Sequence, residues 1–349
     1  MKLNRLFLLF LAFSVVIVSC DSNDPEEPIG QYETGILIMN EGAFGVNDGE
    51  VYHLNQRLDE LTQNVFETVN ARPYAGLLED IVWIDDRLYL VANTGKVEIV
   101  DPGTFESIGA VIGDLDLPRS TDIAAGKMFI SDYGPFDANF ATPDSYVAVI
   151  NNVLGGTVRS KIPTSRKPED LQAVGDFILV AGAEESKLEV IDALSEQVTQ
   201  SIDVLGNPRE FVFVNQALWL YSTAADEVYF HQINTSNFSI QNTVTLPVAS
   251  ATGRIALGNG TEAYLITSSG FPDYIDGVDR VDIASGTVDT DWIEGSGFYG
   301  IGFDRVNREL YLANANGFQG NGDVSVYSDS GQFIEEFEVG RAPSGFFFY

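Results

Sequence analysis

Short apolar runs recur along this chain in pairs. The second member of each pair alternates apolar and polar positions with period two, the pattern of a β-strand. It reads "GEVYHLN" from Gly49, "GKVEIVD" from Gly95, "SYVAVIN" from Ser145, "SKLEVID" from Ser186, "DEVYFHQ" from Asp226, "DGVDRVD" from Asp276 and "GDVSVYS" from Gly322. Before each stands a more continuous apolar run: "ILIMN", "YLVAN", "MFISD", "ILVAG", "WLYST", "YLITS" and "LYLAN". After most copies come another strand and a turn marked by Pro or Gly, as in "IDVLGNPREFVFV" from Ile202. Four short strands in units of about 40 to 50 residues, with no helical periodicity, are the pattern of propeller blades. Seven units predict an all-β, seven-bladed β-propeller over residues 35–349.

The chain ends in "VGRAPSGFFFY", with four aromatics as its last four residues. In the internal repeats the turn proline opens the innermost strand, so Pro343 aligns with Pro168 and Pro208. The C-terminal strand therefore has no blade of its own, and the first unit, starting at Ile36, has no inner strand. Pairing one with the other closes the ring and leaves no open edge. Burial of Phe346, Phe347, Phe348 and Tyr349 supplies the driving force for ordering the terminus.

At the other end, Lys2 and Arg5 precede an apolar run, Leu6 to Val18, too short for a comfortable membrane span, which reads as a secretory signal over residues 1–19. Its "IVSC" ending resembles the bacterial lipobox, which implies lipidation of Cys20, the only cysteine; the alternative is an ordinary signal peptide with an incidental cysteine. Residues 20–34, with "DSNDPEEP" near their start, read as an acidic tether too polar to fold alone. They resemble the acidic export signals that send Bacteroidota lipoproteins to the outside of the outer membrane. The expected location is the outer membrane, held there through the lipid alone.

Removing residues 1–19 takes away two basic residues and no acidic ones, which moves the formal charge from −32 to −34. Such a chain repels phosphate backbones, so nucleic acid is excluded as a natural partner. With no second cysteine, no disulfide can staple the domain, and stability rests on burial and hydrogen bonding.

The repeat unit resembles the YVTN family of β-propellers. "LYLAN", "GDVSVYS" and "VGRAP" in the last unit, "KLEVID" in the fourth and "YLVANTGKVEIVD" in the second carry the match. The units diverge, and the third and sixth hold long insertions. The opening "ILIMNEGAFGVNDGEVYHLN" is similar to the YncE-like surface lipoproteins of Bacteroidota, whose first blade carries an Asn-Glu-Gly phrase. Some members of that group capture cobalamin and pass it to a TonB-dependent transporter. The resemblance thus implies a small-molecule or corrinoid ligand and a TonB-dependent receptor as partner, although a fold by itself assigns no function.

Two features of the residues mark one end of the ring as a candidate site. Arg72, Arg119, Lys167, Arg209, Arg254 and Arg341 stand beside the turns that open inner strands, and ring symmetry would gather them at one mouth. One reading is a positive collar for a phosphate- or carboxylate-bearing ligand. The other is internal pairing with the acids that follow: Glu79, Asp80, Asp122, Glu169, Asp170 and Glu210. Loops on the same side carry aromatics among Gly, Asn and Asp: Phe44, Tyr133, Phe136 and Phe140, then Phe271, Tyr274 and Phe318. These would wall a large, flat ligand such as a corrinoid or a glycan, or else pack down to hold long loops in place. Tyr74 and Tyr299, near inner-strand openings, are expected at the channel mouth.

Signals for catalysis are weak. His53 and His231 fall in the first and fifth blades, too far apart for a shared metal or triad. "DYIDGVDRVD" from Asp273 has spaced carboxylates but lacks a full set of calcium-loop ligands. No catalytic residue, resident cofactor or metal is expected. The sequence therefore favours a binding protein, with a protein-interaction or glycan-binding scaffold as the alternative and an enzyme of the propeller lyase or hydrolase kind as the third reading.

Overall fold

A computed structural model describes residues 30–270 and 275–349. Cys20, most of the expected tether, Phe271 and Tyr274 lie outside the described residues. Seven sheets are arranged about an axis, as the repeats predict; all are antiparallel except that Gly155–Gly156 adds a short parallel edge strand to that of blade 2. Blade 4 shows the pattern in its plainest form: inner strand Pro168–Val174, then Phe177–Gly182, Lys187–Asp192 and the outer strand Gln197–Asp203. Each inner strand touches the next around the ring, and the circle closes through Phe298–Asp304, Pro343–Phe348 and Leu78–Ile84.

The closure is the one the tail predicts. Pro343–Phe348 pairs antiparallel with Ile36–Asn40, placing Ile36 opposite Phe348, Leu37 opposite Phe347 and Ile38 opposite Phe346. The four aromatics are half-buried and split between two neighbours. Phe346 and Phe348 lie against Tyr311 of blade 7, with ring centres 5.7 and 5.3 Å away. Phe347 stacks on Trp83 of blade 2 at 5.7 Å, and Tyr349 meets the same indole edge-on at 5.6 Å. Glycine sets the fit on the blade 7 side. A Cβ at Gly300 would sit 2.5 Å from the Ser344 carbonyl carbon, and one at Gly302 would sit 2.8 Å from the Phe346 ring.

The apolar residues do not form one core. Seven clusters lie between successive sheets, one per interface, such as Leu37 and Met39 with Leu88 and Leu90 between blades 1 and 2. A blade is therefore covered on both faces, which explains why the second strand Phe177–Gly182 is buried at every position after its first. It also changes the meaning of the period-two pattern. Glu98, Glu189 and Asp279 occupy one polar repeat position in the third strands, yet all three are buried. Each has found a donor inside the protein: Arg72 for Glu98 at 2.8 Å, the Ser165 N–H for Glu189 at 2.8 Å and the Asp291 N–H for Asp279 at 2.9 Å.

Two local features depart from the sequence reading. A short helix, Val65–Asn70, replaces most of an outer strand in blade 1, where only Leu61–Thr62 pairs. The buried carboxylate of Glu50 accepts hydrogen bonds from the Phe66 and Glu67 N–H groups at 3.0 and 3.1 Å and so caps that turn. In addition, residues 30–34, expected as the end of the tether, lie on the body. Tyr32 is buried edge-on against His53 and Phe105. The backbone of Tyr32 is bonded to Gly103, in the hairpin that links the third and fourth strands of blade 2.

Candidate functional site

Strand direction decides which loops share an end of the ring. Chain segments running into inner strands, and loops joining second to third strands, fall on one mouth; the remaining hairpins fall on the other. The loops carrying Phe44, Phe136, Phe140 and Phe318 and the collar arginines thus belong to one end. Side-chain geometry then sorts them.

Near the start of the inner strands, at the second residue of three and the third residue of the fourth, which begins one residue earlier, four neighbouring blades present Glu79, Arg119, Glu169 and Arg209 in turn. Alternating signs at one level of a ring produce a continuous ionic chain. Arg119 lies 2.5 Å from Glu79 and 3.5 Å from Glu169, and Arg209 lies 3.0 Å from the other oxygen of Glu169. Arg119 also covers the Tyr133 ring at 4.8 Å, and Asn93 donates to Glu79 at 3.1 Å. Both arginines are held by this chain through their terminal nitrogens, while the buried Nε of Arg119 has no acceptor among the described residues. In the sixth blade the same position is Gly253, at φ +98°, over which the Arg209 stem passes at 3.1 Å from where a Cβ would be.

One residue deeper, Asp80, Ser120, Asp170 and Glu210 form an acidic tier in a channel cavity of about 730 Å³. Asp170 accepts from Ser120 Oγ at 3.0 Å, from its neighbour's Leu171 N–H at 2.8 Å and from the Phe211 N–H of the next blade at 2.8 Å. Asp122 repeats the device by accepting from Ala173 of blade 4 at 2.5 Å. These carboxylates are inter-blade staples. Enclosure pushes Asp80 up to about 6, with the Glu79 charge adding to the shift and Ser120 opposing it. Asp170 is pushed up to about 7 by enclosure, relieved by the Phe211 N–H and reinforced by the Asp80 charge. Glu210 moves the same way through enclosure among protein atoms and then through Asp170 and Asp80. Its side chain is nonetheless exposed to channel water, which softens the effect of enclosure.

Arg254, the residue after Gly253 in the blade 6 inner strand Ala251–Leu257, has a different environment. It borders the channel and a second cavity of about 740 Å³ that opens between blades 6 and 7. Its guanidinium lies 5.5 Å from the centre of the Tyr299 ring. Phe318, 54 % exposed, meets Tyr299 edge-on at 5.0 Å and forms the outer wall. Asn314, Asn316, Ser268 and Asp276 supply polar lining. The Tyr299 hydroxyl donates to Glu41, the acid of the "NEG" phrase, which reaches over from blade 1. Burial, then the Glu79 charge, raises the Glu41 carboxyl above its ordinary range. Glu41 escaped the sequence reading because it belongs to no repeat position; its place inside the quoted first-blade phrase was the available signal.

The remaining candidates separate. Arg72 is turned outward, forked on Glu98 at 2.8 and 2.9 Å and stacked on Phe66, and lines no part of the channel. Tyr74, expected at the mouth, is a core residue at 1 % exposure: its hydroxyl donates to the Leu90 carbonyl at 3.1 Å and its ring packs on Phe66. It lies too far ahead of its inner strand to reach the axis. Arg341 pairs with Asp48 at 3.2 Å beside a separate cavity, and the closest acid to Lys167 is Glu184 at 3.9 Å. Phe44, Phe136 and Phe140 are 90, 53 and 84 % exposed on the rim, outside both cavities. Among the described residues no cluster of three metal-ligating side chains occurs. His53 and His231 are each hydrogen-bonded within their own surroundings, to Thr34 and to Thr243 and Leu205.

Solved structures similar to this one share the fold at low identity. A quinonprotein alcohol dehydrogenase-like protein from Bacteroides thetaiotaomicron matches with a TM-score of 0.66 and 14% identity, over 91% of this chain and 78% of that one. A functionally unknown protein from Desulfotomaculum acetoxidans gives 0.60 and 12%, over 90% and 98%. BamB from Moraxella catarrhalis gives 0.53 and 13%, over 92% and 88%. Such varied names on one scaffold carry the fold and no shared activity. No curated protein matches the sequence. Residues 34–349, the whole closed ring from the approach to its first strand to the terminal tyrosine, match the family described as "Domain of unknown function (DUF5074)", and the chain belongs to that family.

Proposed function

We propose that this propeller is a binding protein that captures a cofactor-sized nutrient at the mouth where Tyr299 and Phe318 stand. The cavity between blades 6 and 7 carries the reading. Its roughly 740 Å³ falls within the range of small-molecule sites, and it combines an aromatic wall with convergent amide and hydroxyl groups. The half-exposed Phe318 ring bears a hydration cost that a flat ligand would relieve. The resemblance to cobalamin-capturing lipoproteins makes a corrinoid the first ligand to try and a TonB-dependent transporter the receiving partner, with Cys20 carrying the lipid at the outer membrane. Calorimetry of the purified protein against cyanocobalamin tests this reading. Saturable heat at micromolar protein supports capture, and an absence of heat with every corrinoid removes it.

A second reading is a docking scaffold for a polypeptide or surface glycan, and the rim favours it. Phe44, Phe136 and Phe140 lie outside the cavities, yet on the same end. A glycan array distinguishes the two: glycan binding lost in Phe136→Ser and Phe140→Ser, with no corrinoid heat, selects the scaffold.

A further inference from the structure

One cation at this mouth, Arg254, forms no salt bridge among the described residues, although the charges of Glu79 and Glu41 reach it. Arg254 engages its backbone N–H with Thr252 Oγ1 at 3.4 Å, but its guanidinium has no acceptor within hydrogen-bonding distance among them. Of the acids near it, Glu79 is held by Arg119 and Asn93 and Glu41 by the Tyr299 hydroxyl, while Glu210 lies in the channel and forms no ion pair with it. Arg119 and Arg209, by contrast, are held in the ionic chain. A guanidinium offers five N–H donors in a flat fork and stays protonated at any physiological pH, so leaving it unmatched in a half-enclosed site costs free energy. Its guanidinium carbon lies over the Tyr299 ring, 5.5 Å from the ring centre, so the ring covers one side of the cation. Both cavities reach it, and the one between blades 6 and 7 places the Phe318 ring beside it.

We propose that Arg254 is the anion receptor of this mouth. Its ligand carries a carboxylate or phosphate next to a flat apolar ring, with the oxyanion on the guanidinium fork and the ring against Phe318 and Tyr299. This rests on the reading of the blade 6–blade 7 cavity as the binding site. The overall charge of the protein repels anions at long range, so recognition here is a short-range, paired hydrogen-bond event rather than electrostatic attraction.

The test uses calorimetry with phenyl phosphate and, separately, benzoate, on the purified wild-type protein and on Arg254→Gln, Phe318→Ala and Arg166→Gln. Arg166 lies on the rim, paired with Glu185 at 3.0 Å, and serves as the control. Wild type is expected to bind at least one of the two anions, the tighter one identifying the oxyanion class. Arg254→Gln should weaken it by tenfold or more, Phe318→Ala several-fold and Arg166→Gln by less than twofold. Wild type that binds neither anion, or Arg254→Gln that binds as well as wild type, overturns the assignment. Should Arg254→Gln lose its circular-dichroism signature, Phe318→Ala decides: undiminished affinity there overturns it too. Cyanocobalamin binding that survives Arg254→Gln removes the anion role and leaves the cavity a binding site. Wild type that binds none of these ligands removes both.

Discussion

Arg119 and Arg254 show how little residue type says about availability. Both stand at inner-strand openings of the same mouth, yet one is locked between Glu79 and Glu169 and the other faces open cavities. The same scale governs the acidic tier. Asp170 is a staple with three donors, so Asp170→Asn turns one acceptor oxygen into a donor facing donors. The expected cost is about 1–3 kcal/mol, read from the midpoint of urea unfolding. Glu210, with no hydrogen-bond partner among the described residues, should tolerate Glu210→Gln with little loss. Glu210 also feels the Arg254 charge, together with Asp170 and Asp80. A ligand anion on Arg254 would cancel that support for the Glu210 carboxylate, and Glu41 and Glu79 face the same guanidinium. Benzoate binding should therefore take up protons and tighten from pH 8 to pH 6, visible as a buffer-dependent heat that Glu210→Gln reduces.

Among elements, the C-terminal strand has the largest consequence. It lies between blades 7 and 2 while completing blade 1, so its removal opens an edge and strips aromatics from both neighbours. Deleting residues 346–349 is expected to give an insoluble or molten protein; a truncation that melts with wild-type cooperativity would refute the closure. A milder probe is Gly300→Ala, whose new methyl would meet backbone of Ser344 rather than a movable side chain. It should lower stability by about 1–3 kcal/mol with the secondary structure retained. The strand pattern was legible because turn prolines, glycines and apolar runs are local signals. The destination of its polar positions was not. Glu98, Glu189 and Asp279 look like solvent-facing positions of a half-buried strand, and only the packing of one sheet on the next buries them. The helix Val65–Asn70 was missed for a related reason, since its capping carboxylate, Glu50, lies 16 residues upstream of Phe66.

For the whole molecule, charge and burial act together on pH dependence. Asp80 near 6 and Asp170 near 7 hold protons that the unfolded chain releases near 4. Between those values the native state binds more protons than the unfolded one, so stability falls as pH rises through 6 and 7. Self-repulsion of a chain with a formal charge of −32 acts in the same direction. The melting temperature should be higher at pH 5.5 than at pH 8, and added salt should narrow the gap by screening the repulsive part alone. A melting temperature that climbs toward pH 8 would show that the channel acids are ionised in the native protein without penalty.

The sequence by itself determined the number of blades, the order of strands within them and the way the ring closes. Those follow from period, turn chemistry and an unpaired terminal strand, all of which are properties of neighbouring residues. It also placed loops and arginines at a common end, because strand direction alternates. Only the tertiary structure decided which of those arginines remain free, why Tyr299 lines a cavity while Tyr74 is core, and how Glu41 reaches a mouth built mainly by other blades. Ion pairing and burial depend on distances between residues far apart in the chain, such as Glu41 and Tyr299, and those distances come into being only when seven sheets pack about one axis.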